Sequence, residues 1–452
     1  MPTIPPRRAR RMPAAALLSL LSALAAADPL TPEAAVRLAL ARNPELAAAA
    51  AERDAAASLA RAETARRLPR LDLRYGWRRG DDPLEVFADR LLTRRVTAAD
   101  FDPLRLNDPE PSTLHSTALE LGLPLYTGGR LAAEIRARRR EADAGDRLWR
   151  RRRAETVFRV RSAYLAAQAA VRAVAIAADA RAAARRHART TARLLKEGRI
   201  VQSDRLTAEV YRAATEAAWV AAGTERDLAL RRLQRIMGQA PDGRLELLPW
   251  RAPDPGPAPP DLAALTARAL ARRGDYAAAG ARVDAGSARV DAARAAFRPQ
   301  LALSARQAWY ADQPALDNGN WRVMGTLGMN LFAGGGRTHR LAAARRQEEA
   351  LAHRREALRL AILEEVQAAH ARLVSARKRL RIHRAHLDKA RRTVKLVNER
   401  YGQGRTLLID LLQAEKALVA TRRAALGAAL DLAVQRLAVA LAAGDLEAEV
   451  QP

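Results

Sequence analysis

Residues 366–415 read VQAAHARLVSARKRLRIHRAHLDKARRTVKLVNERYGQGRTLLIDLLQAE. Apolar residues recur at every seventh position, and a second row follows three positions behind; the rows are Val366, Leu373, Leu380, Leu387, Val394 and Tyr401, then Ala369, Ala376, His383, Ala390 and Val397. This spacing is typical of a helix that packs along a supercoiled seam. Gly402 and Gly404 interrupt it, because two glycines so close end a helix. A second helix begins at Leu407 with Thr406 as its expected cap, so the stretch predicts a helical hairpin with a tight tip.

The tip occurs twice in the chain. Residues 198–209 (GRIVQSDRLTAE) align without a gap on residues 404–415 (GRTLLIDLLQAE), and six of the twelve positions are identical. The identical pairs include Gly198 with Gly404 and Asp204 with Asp410. Agreement at this level over a fixed offset indicates a duplicated helical hairpin.

The sequence divides into two tandem repeats around a proline-rich linker. Residues 1–27 read as a signal peptide, because a basic start is followed by an apolar run that ends in Ala25-Ala26-Ala27. The first repeat covers 28–248, the linker 249–260, the second repeat 261–445 and a tail 446–452. Strands are predicted at about 70–77, 117–126, 300–310 and 320–332, and helical hairpins at about 130–240 with a tip near 198 and about 337–441 with a tip near 404.

The four strands alternate apolar and polar residues with a period of two. One face of the first strand carries Leu71, Leu73, Tyr75 and Trp77, and the opposite faces of the strands carry Asp72, Arg74, Glu120, Arg306 and Arg322. Pro124 lies in the second strand and would normally place it at a sheet edge. Residues 78–113, rich in Asp-Pro pairs, are expected to form a long loop.

This pattern favours a sheet whose apolar face meets lipid and whose polar face lines water, with Trp77, Trp309 and Trp321 as an aromatic girdle. A small sheet packed on the helices is the alternative. Four strands cannot close a barrel, and lipid does not tolerate open sheet edges. Three chains would supply about twelve strands, so the membrane interpretation predicts a homotrimer in contact with outer-membrane lipid. No transmembrane helix is expected.

Composition excludes several classes of function. The chain has no cysteine, which excludes disulfides and thiolate metal sites. It carries a formal net charge of +28, but arginines and acidic residues alternate along every helix, which favours solvated helix faces over a nucleic-acid site. The sequence contains no nucleophile elbow, phosphate loop or paired catalytic carboxylates, so neither an enzyme nor a cofactor is predicted. His383 and His386 lack a completing carboxylate, so no metal site is predicted.

Several motifs together resemble the TolC family of outer-membrane ducts. They are ALARNPEL at 39–46, PLYTGGR at 124–130, LFAGGG at 331–336 and the two tips, and the resemblance runs from Leu30 to about Leu441. It implies a mainly α fold in which a trimeric β-barrel continues as an α-helical barrel into the periplasm. It also implies a location in the bacterial outer membrane. Such proteins are exit ducts of tripartite efflux or type I secretion systems, working with a periplasmic adaptor (membrane fusion) protein and an inner-membrane pump of the RND or ABC type.

The resemblance also implies a periplasmic gate at the second tip. Asp410 falls on an acidic ring that narrows the pore, and Gln413 falls where some members have a second aspartate. Tyr401 and Asp204 match an inter-helix lock, and Arg405 lies one position before the arginine expected there. The adaptor contacts implied at the tips are Gly198, Arg199, Gly404 and Arg405.

The residues alone leave simpler interpretations open. Asp410 also suits the first turn of a helix, where the helix dipole favours a carboxylate, and Arg199 and Arg405 also suit ordinary solvent exposure. The alternative function is that of a secreted or periplasmic arginine-rich coiled-coil protein that binds polyanions.

Overall fold

The computed structural model describes residues 29–241 and 245–449, so the proposed signal peptide lies outside the described residues. The described chain is mainly helical with one small sheet. The helices are α1 Pro32–Arg42, α2 Pro44–Ala65, α3 Pro83–Leu92, α4 Pro103–Asn107, α5 Arg130–Lys196, α6 Gln202–Ile236, α7 Leu262–Arg272, α8 Gly274–Ala295, α9 Gly336–Gly402, α10 Leu408–Ala442 and α11 Asp445–Glu449. The strands are β1 Arg70–Gly80, β2 Ser112–Tyr126, β3 Gln300–Ala311 and β4 Asn320–Gly328.

The duplication is visible in the lengths of the helices. The paired helices α5 and α9 each have 67 residues, and α6 and α10 each have 35. The shorter pairs also match, with 11 residues in α1 and α7 and 22 in α2 and α8. Four matched pairs in the same order mean that each repeat is built as two short helices, a strand pair and a long hairpin.

Glycine pairs connect each strand pair to its long helix. Gly128 and Gly129 have φ values of 65° and 90°, and Gly334 and Gly335 have 57° and 79°. Residues other than glycine rarely adopt these φ values. A Cβ atom on Gly128 would also lie 2.8 Å from the carbonyl oxygen of Ala295. The glycine-rich motifs therefore serve a turn that the backbone can make only without side chains.

The four strands form one antiparallel sheet in the order β1-β2-β3-β4. The β2–β3 pairing joins the two repeats and makes β2 an interior strand, so the edge position expected from Pro124 is wrong. Pro124 is tolerated because β1 pairing ends at Gly122 and a register shift against β3 follows at Pro124. β1 and β4 form the two open edges.

Three strand boundaries differ from the expected ones by more than one residue: the end of β1, the start of β2 and the end of β4. The segment 78–113 is not a plain loop, because β1 continues to Gly80 and β2 begins at Ser112. Between them lie the α-helices α3 and α4 and a short 3-10 helix at Ala98–Phe101. Asp82 and Asp102 cap α3 and α4, and a proline occupies the first helical position after each cap. These two Asp-Pro pairs thus start helices, whereas Asp108-Pro109 lies in irregular chain after α4. β4 ends at Gly328 instead of near 332, because its partner β3 begins at Gln300, which pairs with Gly328.

The described residues fold into two compact units, and each unit draws on both repeats. The first contains residues up to 43, 159–256 and 376–434, and therefore both hairpin tips. Its core packs α1 against α5 and α6 through Ala35, Ala39, Tyr164, Leu233 and Met237. The second contains residues 44–158, 257–375 and 435 onward, and therefore the sheet.

The segment 245–256, here called the strap, belongs to the first unit and covers part of the proposed linker. It has no helix or strand beyond a single bridge between Leu30 and Leu247. Side chains nevertheless hold it in place, since Arg384 donates to the carbonyl of Pro253 at 2.7 Å and Arg377 to that of Gly256 at 3.0 Å. These hydrogen bonds therefore hold the proline-rich strap in a fixed position against α9.

Two helices, α5 and α10, contain a window long and apolar enough to cross a membrane by length and composition. The expectation that the chain has no transmembrane helix stays a prediction. The core helix of a soluble protein passes the same test, so the windows alone do not assign a membrane span.

Candidate functional site

Both hairpin tips have the same backbone geometry. α5 is followed by a left-handed Gly198 with φ 68°, and α9 is followed by Gly404 with φ 69°. At each tip the residue after the glycine donates its N–H five residues back, from Arg199 to Leu194 at 2.9 Å and from Arg405 to Arg400 at 2.9 Å. These bonds satisfy carbonyls that a helix end otherwise leaves unpaired. Both tips are exposed, and no atom lies within 4 Å of a Cβ placed on either glycine.

Tyr401 lies between the two hairpins, just above the second tip. It packs against a cluster formed by Ala184, Ala208, Tyr211, Leu408 and Leu412. Its hydroxyl is buried and forms no hydrogen bond within the described residues. Burial, together with the charge of Asp204, raises the pKa of Tyr401. Tyr401 therefore interacts electrostatically with Asp204, but the two side chains form no hydrogen bond.

Arg405 does not join this pair. Its side chain is exposed, and it forms no ion pair with any residue of the described chain. Arg199 at the first tip is also exposed, with only a loose contact of 3.8 Å to Glu197. Both guanidinium groups are therefore available to a partner molecule. The three-residue lock and the adaptor contacts remain predictions.

Asp410 caps the helix that follows the second tip. Its carboxylate accepts hydrogen bonds from the Thr406 hydroxyl at 2.8 Å and from the Leu407 backbone N–H at 3.3 Å. Thr406 is thus a donor to the cap rather than the cap itself. Gln413, one turn further along α10, is exposed like Asp410. Asp410 combines a local structural role with an exposed charge, and its role in a gate remains a prediction.

A second pair between the hairpins, His187 with Glu415, was not predicted in the sequence analysis. His187 on α5 lies 3.6 Å from Glu415 on α10, and both side chains are mostly buried. Burial and the charge of Glu415 raise the pKa of neighbouring Tyr211 to about 12. The only hint in the sequence is that Glu209 and Glu415 match between the repeats. The histidine has no repeat partner, because Thr393 occupies the matching position.

The sheet carries the second candidate site, an exposed apolar face. Leu73, Trp77 and Trp321 expose 69%, 62% and 78% of their surface, far more than apolar residues packed on a core. The strand register continues this face across the sheet, aligning Leu71, Leu121, Ala305 and Val323 in one row. Trp309 also lies in the sheet but is only partly exposed.

The opposite face of the sheet is charged. Glu120 lies between two arginines, at 3.3 Å from Arg74 and 3.5 Å from Arg306. Asp72 and Arg322 continue the same row on the neighbouring strands. A sheet with one exposed apolar face and one ionic face matches the division between lipid and water in a membrane barrel. Among the described residues, no cluster of histidine or acidic side chains is placed to hold a metal ion.

Comparison with known proteins identifies similarity over most of the chain. The family model described as "Outer membrane efflux protein" matches residues 35–239 and 265–445. No curated protein sequence matches the chain. Among solved structures, the chain is similar to CusC, with 20% identity, a TM-score of 0.77 and 92% of each chain covered.

Two further structures with named sources are also similar. VceC from Vibrio cholerae is 18% identical with a TM-score of 0.75, over 91% of this chain and 96% of that one. The open state of the Neisseria gonorrhoeae MtrE outer membrane channel is 20% identical with a TM-score of 0.73, over 91% and 88%. At these identities the structures show a shared fold. The sheet and paired long helices of this chain are therefore those of outer-membrane channels.

Proposed function

The chain belongs to the outer membrane efflux protein family, and on that premise we propose that three copies form one exit duct through the outer membrane. The observation that carries the proposal is the four-stranded sheet with an exposed apolar face and two open edges, β1 and β4. Backbone groups at an open edge have no partners in lipid. Pairing β1 of one copy with β4 of the next removes both edges.

The long helices supply the rest of the duct. A helix of 67 residues is about 100 Å long, since each residue adds about 1.5 Å. Two such helices per chain, each with a shorter returning helix, give the wall of a helical barrel when three chains assemble. We assign this barrel to the periplasm. The tips would then face a periplasmic adaptor and an inner-membrane pump of the RND or ABC type.

Transport through this duct would be passive on the side of this chain. The pump would supply the energy, so the duct needs no catalytic residues and no cofactor. We assign the gate to the second tip, where three symmetry-related Asp410 carboxylates would lie around the axis and attract cations. We assign to the Tyr401 hydroxyl and the Asp204 carboxylate the contact between the hairpins that opens or closes the tip.

In-cell photo-crosslinking tests the assembly. A photo-reactive amino acid replaces Gln202 or Gln403 beside the tips, and one at exposed Leu84 on α3 serves as the control. The proposal expects an adaptor protein from both tip positions and none from Leu84. A proton-driven or an ATP-driven pump recovered with the adaptor distinguishes the two pump types.

The alternative of a polyanion-binding protein makes opposite predictions. It requires a soluble protein whose binding to DNA weakens steeply with salt. A soluble protein with salt-sensitive DNA binding and no adaptor would contradict the duct. Heat-modifiable trimers in the outer-membrane fraction would support it.

A further inference from the structure

The first compact unit contains a cavity of about 1310 Å³ beside the strap. Its walls come from α5, α6, α9, α10 and the strap itself, all within the same unit. Sites for small molecules are typically about 300–1,000 Å³. The space is therefore large enough for a small organic molecule and its water.

Hydrogen bonds fix the wall that the strap provides. Gln168 on α5 donates to the Leu248 carbonyl at 2.7 Å, and the Leu248 N–H donates to the Tyr164 hydroxyl at 3.2 Å. On the other side, Arg384 of α9 donates to the Pro253 carbonyl. Because the strap is bonded to both hairpins, the cavity is preformed and a ligand need not order it.

Most of the buried residues that line the cavity are apolar. The strap contributes Leu247 and Trp250, and the four helices contribute Ile176, Leu230, Leu380 and Leu426. These side chains offer aliphatic and aromatic surface from several directions. The floor therefore suits an alkyl chain or an aromatic ring, which gains from leaving water.

The rim of the cavity carries excess positive charge. Six arginines but only three carboxylates line it. Two of the carboxylates are already paired, Asp179 with Arg422 at 3.4 Å and Asp227 with the adjacent Arg226 at 2.8 Å. The pairs account for only part of the arginine charge.

Two of the remaining arginines have no counter-ion. Arg172 on α5 and Arg231 on α6 are exposed at the rim, and neither forms an ion pair within the described part of the chain. Glu246 on the strap, the third carboxylate, also has no ion pair there. Two unpaired guanidinium groups against one carboxylate leave the rim attractive to an anion.

We propose that this cavity binds an amphipathic anion: its single alkyl chain or aromatic ring fills the apolar floor, and Arg172 and Arg231 hold its carboxylate, sulfate or phosphate head. The site shares no lining residue with the sheet or the two tips. It lies within one chain, so it does not depend on the proposed transport function.

The test uses octyl sulfate as the probe and 1-octanol as its uncharged counterpart. The full-length protein is held in lipid nanodiscs, and calorimetric titrations are corrected with empty nanodiscs. We expect octyl sulfate to bind with one site per chain and octanol to bind far more weakly. Tryptophan fluorescence gives a second readout. We expect octyl sulfate to change the fluorescence of the protein, and we expect this change to disappear in Trp250→Phe, which would place the probe beside the strap.

Charge variants then assign the head group. The double variant R172E/R231E should weaken octyl sulfate binding by about tenfold or more for each arginine changed, because hydrogen bonds to charged groups are strong. Glu246→Gln should tighten binding. The control R340E/R345E makes the same charge change on exposed positions of α9 in the second unit and should leave affinity unchanged.

Three results would overturn the proposal. The first is an absence of saturable octyl sulfate binding in a protein that still forms heat-modifiable trimers. The second is equal binding of octanol, which would indicate simple partitioning. The third is an equal loss in both double variants, which would indicate a general charge effect.

Discussion

Replacing Arg273 by methionine tests what holds the second compact unit together. Arg273 follows α7 and is only 4% exposed at its side chain. It forms ion pairs with Asp275 at 2.7 Å and Glu365 at 2.6 Å, and donates to the carbonyl of Ala442 at 3.4 Å. One buried guanidinium therefore connects α8, α9 and the end of α10.

The structure sets the size of the expected effect. Removing one partner of a buried ion pair costs about 3–5 kcal/mol, because the other charge is left uncompensated. Glu365 is 44% exposed and can regain water, whereas Asp275 is 20% exposed and cannot fully do so. We therefore expect a loss near the lower end, about 3 kcal/mol per chain.

The neighbouring residue supplies a matched control. Arg272 is 50% exposed and pairs with Asp445 at 2.8 Å on the surface. Exposed pairs of this kind contribute about 0–1 kcal/mol, so Arg272→Met should barely change stability. The assay is urea-induced unfolding of each variant in the same detergent. Equal losses from both substitutions would refute the argument that burial makes Arg273 the connecting charge.

Four further predictions follow from single residues. Gly404→Ala should cost about 1–2 kcal/mol in unfolding free energy through backbone strain alone, whereas Gly427→Ala in the exposed interior of α10 should gain up to about 1 kcal/mol. Asp410→Asn should keep the cap but remove the charge; if Asp410 forms the gate, Asp410→Asn and Asp410→Ala should reduce the cation preference of single-channel currents equally, while only the alanine variant loses about 1 kcal/mol of stability. Burial raises the pKa of Glu447 above the value of 4.5 for an unperturbed carboxyl. The protonated carboxyl therefore stabilises the folded state at low pH, and this stabilisation is lost as pH rises through the raised pKa. Glu447→Gln, whose amide oxygen can still accept from the Gly274 N–H, should therefore flatten the melting temperature against pH above 4.5. Val323→Arg on the apolar face should destabilise the membrane-inserted protein by about 2–4 kcal/mol, whereas Arg322→Glu on the opposite face should have little effect in refolding into lipid vesicles.

The architecture was predictable because its signals are local. Helix seams and alternating strands are periodic over a few residues, and each glycine tip is a short motif. Because the chain is duplicated, each of these patterns occurs twice. The wrong details are those where two local signals share the same residues. Asp82-Pro83 marks a helix start as readily as a turn, and only the fold decides between them. Pro124 is permitted inside the sheet because the neighbouring strand stops two residues earlier.

The interactions between the hairpins were not predictable from the sequence. His187 and Glu415 lie far apart along the chain, and no periodicity links them. The ionic cluster around Arg273 likewise joins four separate segments, including Arg151 and Glu447. The strap illustrates the same limit, since its prolines indicate an extended segment but not the arginines that hold it. Such contacts depend on how helices are placed in space rather than on their own spacing.

Cross-linking of the sheet edges tests the shared barrel most directly. The chain has no native cysteine, so cysteines can be placed on β1 at Arg74 and, in separate variants, on β4 at Arg322, Met324 or Thr326. Within one chain these edges lie three strand spacings apart, about 14 Å, which is too far for a disulfide. The account predicts that oxidation of outer membranes gives covalent dimers and trimers for at least one register, with the trimer as the largest species. Monomers alone at every register, or ladders that continue beyond the trimer, would contradict a closed barrel shared by three chains.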